Sequence, residues 1–205
     1  MNNAIESTLN QGIEALQLTV SPAQIQQLLD YLALLIKWNK AYNLTAVRDP
    51  LQMVTRHLLD SLAILPYLSG QRIIDIGTGA GLPGIPLAIA NPECTYYLLD
   101  SNGKKIRFLQ QVVVQLGLNN VTTVEDRAER YVSEQCFDCV VARAVGSIAD
   151  ILSQTQHLLC QNGRWLLMKG QHPQEELEVI EATVKVISYE VPALNEQRHL
   201  IEISP

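Results

Sequence analysis

The sequence is poor in aromatic residues, in charge and in cysteine. Aromatics make up 5% of its 205 residues, with two Phe and two Trp. A core must therefore rest on Leu, Ile, Val and Ala. Charged residues are 18% against 47% apolar, which excludes a disordered chain and is ample for one packed domain. The first residues, MNNAIESTLNQG, lack the basic start and apolar run of a signal peptide. The most apolar early stretch, residues 28–36, contains Asp30 and is too short to span a bilayer. A cytoplasmic protein with no membrane association is expected, with a monomer as the default. Cys136 and Cys139 form a C-x-x-C without the second Cys or His pair that a zinc site needs. No metal is expected, and Cys94, Cys136, Cys139 and Cys160 should be reduced thiols. The net charge of −6 lacks the positive field that a nucleic-acid partner requires, although a local basic face is compatible with it.

Two kinds of pattern are present. Ser21-Pro22-Ala23-Gln24 reads as a capped helix start, and Leu28, Leu29, Leu32, Leu35 and Ile36 continue at helical spacing to about Asn39. An earlier helix fits residues 5–16. Asp49-Pro50 repeats the start signal for a helix to about Leu65. Residues 1–68 are thus expected as a helical N-terminal segment packed on a domain of residues 69–205. In that second part strands are expected at 72–76, 95–99, 121–124, 137–142 and 164–168. Helices should fall at 84–90, 104–116, 148–159 and 174–182. Two closing strands, 184–191 and 199–203, have no helix between them and should form an antiparallel hairpin. The alternation predicts an α/β fold, a mostly parallel sheet of about seven strands with helices on both faces.

The most informative stretch runs Asp75-Ile76-Gly77-Thr78-Gly79-Ala80-Gly81-Leu82-Pro83-Gly84. It joins a buried strand to a helix, where glycines allow positive φ and close approach of a ligand to backbone N–H groups. The dinucleotide fingerprint needs glycine at position 82, which is Leu82. The spacing Gly77, Gly79, Gly81 after an acid instead resembles motif I of class I (Rossmann-like) methyltransferases. Asp100, ending the second strand, stands where an acid accepts from ribose hydroxyls. In that arrangement the segment after the third strand, including Ala128 and Glu129, lies beside the adenine.

Residues 75–89, with their long proline-bearing loop, resemble the signature of the glucose-inhibited division protein B family, the bacterial 16S ribosomal RNA guanine-N7 methyltransferases. Lys37-Trp38-Asn39-Lys40-Ala41-Tyr42-Asn43-Leu44-Thr45, Arg56-His57-Leu58-Leu59-Asp60-Ser61, Ala142-Arg143-Ala144, Lys169-Gly170 and Arg198-His199-Leu200 continue the resemblance from about residue 25 to the end. It implies S-adenosyl-L-methionine as cofactor and 16S rRNA, in the small subunit or an assembly intermediate, as partner. It places Gly77 and Leu82 against the cofactor, Ala128 and Glu129 beside the adenine, and Arg143 at the mouth shared by cofactor and substrate. The fold logic adds Gly79 and Asp100.

The chemistry is compatible with this resemblance. Methyl transfer from a sulfonium is an in-line displacement governed by positioning. Exocyclic amines call for an Asn/Asp-Pro-Pro-aromatic motif after the fourth strand, where Ala142-Arg143-Ala144-Val145 stands. Carbon-5 of cytosine needs a cysteine nucleophile that is absent there. Guanine N7 carries no proton and needs no base, so no catalytic residue is assigned. Arg143 and Lys169, each directly after a strand, together with Arg198 and His199, are candidates for an RNA-binding face, against the alternative of solvated surface charge. His57 and Asp60 read as either a helix-surface pair or a core tie. A small-molecule methyltransferase and a non-catalytic nucleotide-binding module remain the other function classes.

Overall fold

The computed structural model describes residues 3–205. Helices α1 (Asn3–Ala15), α2 (Pro22–Tyr42), α3 (Pro50–Met53) and α4 (Asp60–Leu62) precede the sheet. Then follow β1 (Arg72–Ile76), α5 (Gly84–Ala90), β2 (Thr95–Asp100), α6 (Gly103–Leu116), β3 (Val121–Glu125), β4 (Phe137–Arg143) and α7 (Ile148–Thr155). The chain closes with β5 (Leu159–Lys169), α8 (Gln174–Leu177), β6 (Thr183–Tyr189) and β7 (Arg198–Ser204). The strand order is β3-β2-β1-β4-β5-β7-β6, parallel except that β7 runs antiparallel to both its neighbours. The expected hairpin thus forms, with its reversed strand one place in from the edge.

Alternation along each strand divides the core into two layers. Ile73, Leu98, Val141, Leu166 and Leu200 face a layer shared with α1, α2, α5 and α6. Ile74, Leu99, Val140, Leu167 and Ile201 face the other layer, toward α7. The helical segment and the sheet share the first layer, which runs from Ile5 to Leu200.

Helix α2 is fastened at several heights. Ser21 and Gln24 make the capping box, and the Gln24 amide then donates to the carbonyl oxygens of Ile89 and Ala90 at the end of α5. One turn further the Gln27 amide donates to the Leu116 carbonyl, and the buried Tyr31 hydroxyl donates to the Ala80 carbonyl at 2.7 Å. The helix therefore runs from the amino edge of the sheet toward the glycine loop. It ends at Tyr42 rather than Asn39, closed by Asn43 in the left-handed conformation at φ 50°.

The structure departs from expectation in four further places. The helix expected to reach Leu65 contains a π-helical turn, Val54–Leu59, which opens its hydrogen-bond ladder at the residues described below. Strand β5 begins at Leu159, not Arg164, and Asn162-Gly163 lies within it. Its pairing with β4 jumps from Phe137↔Leu159 to Cys139↔Arg164, a bulge that absorbs the extra residues. The helix expected over 174–182 stops at Leu177. Finally, Cys136 and Cys160 form a disulfide rather than standing as thiols. They flank the register pair Phe137↔Leu159, so strand pairing brings their Cα atoms to 5.0 Å although they are 24 residues apart in sequence. Cys94 and Cys139 are buried free thiols.

The layer that contains α2 holds most of the buried apolar residues, and Leu35 is fully enclosed within it. Leu35→Ala should lower stability by about 2–5 kcal/mol, read as a shift in urea midpoint at unchanged slope. A loss under 1 kcal/mol would mean that the helix does not share the sheet's core.

Candidate active site

The glycine loop leaves β1 and is held from beneath by two carboxylates. Asp75 is buried at the end of β1. Its Oδ2 accepts from the Thr78 hydroxyl at 2.7 Å and from the Gly84 N–H at 2.9 Å, while its Oδ1 has no partner. Burial pushes this carboxyl from its ordinary 3.8 up to about 7, opposed by the hydrogen bonds from Thr78 and Gly84. Asp100 ends β2, the neighbouring strand. Its Oδ2 accepts from the Gly79 N–H at 3.0 Å and from Lys105 Nζ at 3.1 Å, and its Oδ1 accepts from the Asn102 N–H at 2.9 Å. A carboxylate offers about four acceptor sites, so Asp100 keeps one in reserve.

The loop glycines have different reasons. Gly77 has φ +62°, and a Cβ there would lie 2.7 Å from Val145 Cγ2, so packing against the turn after β4 demands glycine. Gly79 has φ +61°, and a Cβ there would meet nothing nearer than the Gly77 carbonyl oxygen at 3.8 Å. It would project into open space, as in a cradle that a ligand fills. Leu82 is buried in the core of the first layer and joined to Pro83 by a cis peptide. Beyond β3, Ala128 is buried against the second layer, and Glu129 is exposed with Arg127 at 3.8 Å.

The candidate RNA-binding cations divide by strand parity. Arg143 leaves β4 on the side of the N-terminal helices. Its Nη1 donates to the Arg56 carbonyl at 2.9 Å and to Asp60 Oδ2 at 3.2 Å, and its Nη2 lies 3.5 Å from His57 Nδ1. Asp60 Oδ1 accepts from Arg198 Nε at 3.2 Å and from the Tyr189 hydroxyl at 3.3 Å. Arg198 also pairs with Glu196, which pairs in turn with Arg56. Lys169 leaves β5 on the opposite side, where Glu176 of α8 receives it through both oxygens at 2.9 and 3.0 Å. His199 is opposite Lys169 across the β5–β7 ladder and accompanies it, with Nδ1 3.3 Å from the Gly170 carbonyl oxygen. Arg143 and Lys169 therefore share a strand-end level but not a side of the sheet, and each is committed to a carboxylate.

His57 and Asp60 are both buried, so of the two readings the core tie is the one that forms. Burial, reinforced by the Arg143 guanidinium, lowers the His57 imidazole from 6.5 to about 4, and Thr45 Oγ1 lies 2.8 Å from its Nε2. Tyr31, Tyr189 and Lys105 were not singled out by sequence reasoning, and Asp60 was read only beside His57, not with the arginines and tyrosine it meets. The partners of Tyr31, Asp60, Tyr189 and Lys105 lie 49, 83, 129 and 5 residues away, and only the Lys105–Asp100 spacing is local enough to be read from sequence.

With this geometry in place, the chain can be set against known proteins. The family model for rRNA small subunit methyltransferase G matches residues 24–201. The chain belongs to that family. Ribosomal RNA small subunit methyltransferase G of Shewanella amazonensis is 53% identical over 198 residues, covering 95% of this chain and 96% of that protein. The protein of the same name from Alteromonas mediterranea is 52% identical over 200 residues, covering 96% and 95%. The fold is that of class I methyltransferases. A SAM-dependent methyltransferase from Aquifex aeolicus superposes with a TM-score of 0.59 at 17% identity, over 77% of this chain and 94% of that one. M. jannaschii TYW2, solved with AdoMet, gives 0.55 at 17% identity over 71% and 74%. This chain is accordingly a methyltransferase.

Two outcomes follow. Asp60→Ala would strand Arg143 and Arg198, whose side chains are 19% and 14% exposed, and should cost about 3–5 kcal/mol in chemical denaturation. An unchanged midpoint would show that the cluster is solvated. The second concerns pH. The native Asp75 carboxyl keeps its proton to about pH 7 whereas the unfolded chain loses it near 3.8, so unfolding releases a proton between them. Asp75 thus makes stability fall as pH rises through that window, by a few kcal/mol. His57, lowered to about 4, acts oppositely between 4 and 6.5. Asp75→Asn removes the falling contribution, so its stability, measured by urea at pH 4.5–7.5, should rise with pH relative to the parent protein. Parallel profiles would mean that Asp75 does not hold a proton.

Proposed function

We propose that this methyltransferase transfers the methyl group of S-adenosyl-L-methionine to N7 of a guanine in the 16S rRNA of the small ribosomal subunit. It acts as a cytoplasmic monomer on the subunit or an assembly intermediate. The observation that carries the reading is the open space above Gly79, over a loop clamped by Asp75 and Asp100, in a chain of this family. Relatives named for small-subunit rRNA along nearly their whole length favour RNA over a small-molecule acceptor or a non-catalytic role.

The residues present fit the cofactor. Gly79 leaves room for the methionine part, Gly77 lets the turn beside it pack on Val145 and keeps its backbone at the cradle, and the backbone at Leu82 belongs to the same loop. Asp100 has one acceptor site left for a ribose hydroxyl. Ala128 and Glu129 flank the adenine in this reading, and Arg143 stands at the mouth. When bound, S-adenosyl-L-methionine supplies a sulfonium methyl, which the N7 lone pair accepts as the C–S pair leaves on sulfur. No proton moves in that step.

The chain's own residues suit such an acceptor. Asp60 has donors on both oxygens, and His57 lies against a guanidinium. Neither stands free as a general base, and N7 needs none. What the protein contributes is alignment and exclusion of water. Arg143 and Arg198 are fixed by Asp60 and Lys169 by Glu176. Their role toward RNA is to shape the mouth with charge-assisted donors of set direction.

Gly79→Val places a branched side chain in the cradle at a positive φ. The variant should remain folded yet bind S-adenosyl-L-methionine at least ~100-fold more weakly by calorimetry. Tritium from the labelled methyl group should enter the RNA of small subunits prepared from cells that lack the activity, and not a metabolite extract. Label in the extract alone would overturn the RNA reading, and unaltered affinity in a folded Gly79→Val would overturn the cofactor site.

A further inference from the structure

Of the fifteen Lys and Arg residues, eight form ion pairs. These include Arg143, Lys169 and Arg198, the three of these residues expected from the sequence to form the RNA-binding face. Five of the seven without an ion pair are Lys37, Lys40 and Arg48 around the end of α2, and Lys104 and Arg107 in the first turns of α6. All five are exposed. Where these side chains have partners, the partners are neutral. Arg48 donates to the Asn39 carbonyl at 3.1 Å and the Asn43 side chain at 2.7 Å, and Arg107 donates to the Gly103 carbonyl at 3.2 Å. Asp49, beside Arg48, caps α3 by accepting from the Gln52 N–H.

Aromatic packing joins the two helical segments that carry these cations. Trp38 of α2 lies 5.7 Å from Phe108 of α6, ring centre to ring centre. Tyr42, one helical turn beyond Trp38, stacks on it at 5.0 Å with 28° between the planes. Lys104 is one turn before Phe108 on a helix running the opposite way, so it rises on the same side. Tyr42 is 43% exposed, among the few large apolar side chains left open. The patch lies toward the carboxyl edge of the sheet, because α2 has already passed Ala80 at Tyr31 and α6 starts just after β2.

We propose that this patch is an RNA-docking surface, in which Tyr42 stacks an unpaired base and Lys40, Lys104 and their neighbours hold the flanking phosphates. Concentrated free positive charge on a chain of net charge −6 complements a polyanion. A ring braced from behind by Trp38 gives a base a rigid platform, the combination by which single-stranded RNA is held. The proposal deepens the function proposed above and rests on RNA being the substrate.

The test uses the whole protein, a fluorescein-labelled single-stranded RNA of about 15 nucleotides and undermethylated small subunits. Tyr42→Leu keeps the packing on Trp38 but removes the π face. It should weaken binding of both probes by about 5- to 150-fold, and Tyr42→Phe should restore it. Lys40→Ala with Lys104→Ala should reduce the slope of log affinity against log salt by about 1.4. Lys185→Ala, an exposed lysine on β6, should leave affinity nearly unchanged. Calorimetric affinity for S-adenosyl-L-methionine should stay the same in the Tyr42 and Lys40/Lys104 variants. Parent-like RNA affinity and salt slope in the variants would overturn the docking surface while leaving the function intact. Losses confined to whole subunits would overturn it too, assigning the patch to a ribosomal protein. Failure of the parent protein to bind either probe would overturn the function itself.

Discussion

A carboxylate buried beneath two guanidiniums and a phenol cannot shift without leaving charge unpaired in a poorly solvated place. Asp60 is that carboxylate, and the strand ends at the carboxyl edge of the parallel sheet are arranged around it. Arg143 reaches it from the end of β4, Arg198 from the start of β7 and Tyr189 from the end of β6. The π-helical turn before Asp60 presents the Arg56 carbonyl to the same Arg143. One side chain of the helical segment thus sets the spacing of three strands and fixes Arg143 close to the turn that packs on Gly77.

Opposed requirements explain how charge is used. An acidic chain must still meet RNA, and a site that generates a cationic ring does not gain from loose positive charge beside it. The arginines and the lysine at the strand ends are neutralised by carboxylates and act as fixed donors. Five of the seven cations without an ion pair stand elsewhere, around the end of α2 and in the first turns of α6. In the proposed function, attraction and alignment are thereby given to different residues.

What the sequence made legible was local. Ser21-Pro22 and Asp49-Pro50 carry their own capping chemistry, and both helices start there. The run from Arg72 to Gly84 is a buried strand, a set of positive-φ glycines and a helix start within thirteen residues, and it folds as read. What was not legible depended on pairing. The parity that sends Arg143 and Lys169 to opposite sides is a period-two property of strands, but nothing local says which side holds which helix. The Cys136–Cys160 bond follows from a register partner beside the bulge, which nothing in the cysteine spacing indicates, so reduced thiols were expected there. The Asp60 partners are 83, 129 and 138 residues away, beyond any motif. Asp100 was legible as an acid at a strand end, though its observed bonds go first to the loop and to Lys105.

Three of the attachments of α2, at Gln24, Tyr31 and Trp38, are seven residues apart each time. Seven residues are nearly two turns, so the three side chains lie along one stripe that drifts by only about 20° per step. Removing or adding a single residue between them would swing every later contact by about 100° around the axis. This stretch can therefore diverge by substitution but hardly by length, and alignments across the family should carry their gaps elsewhere.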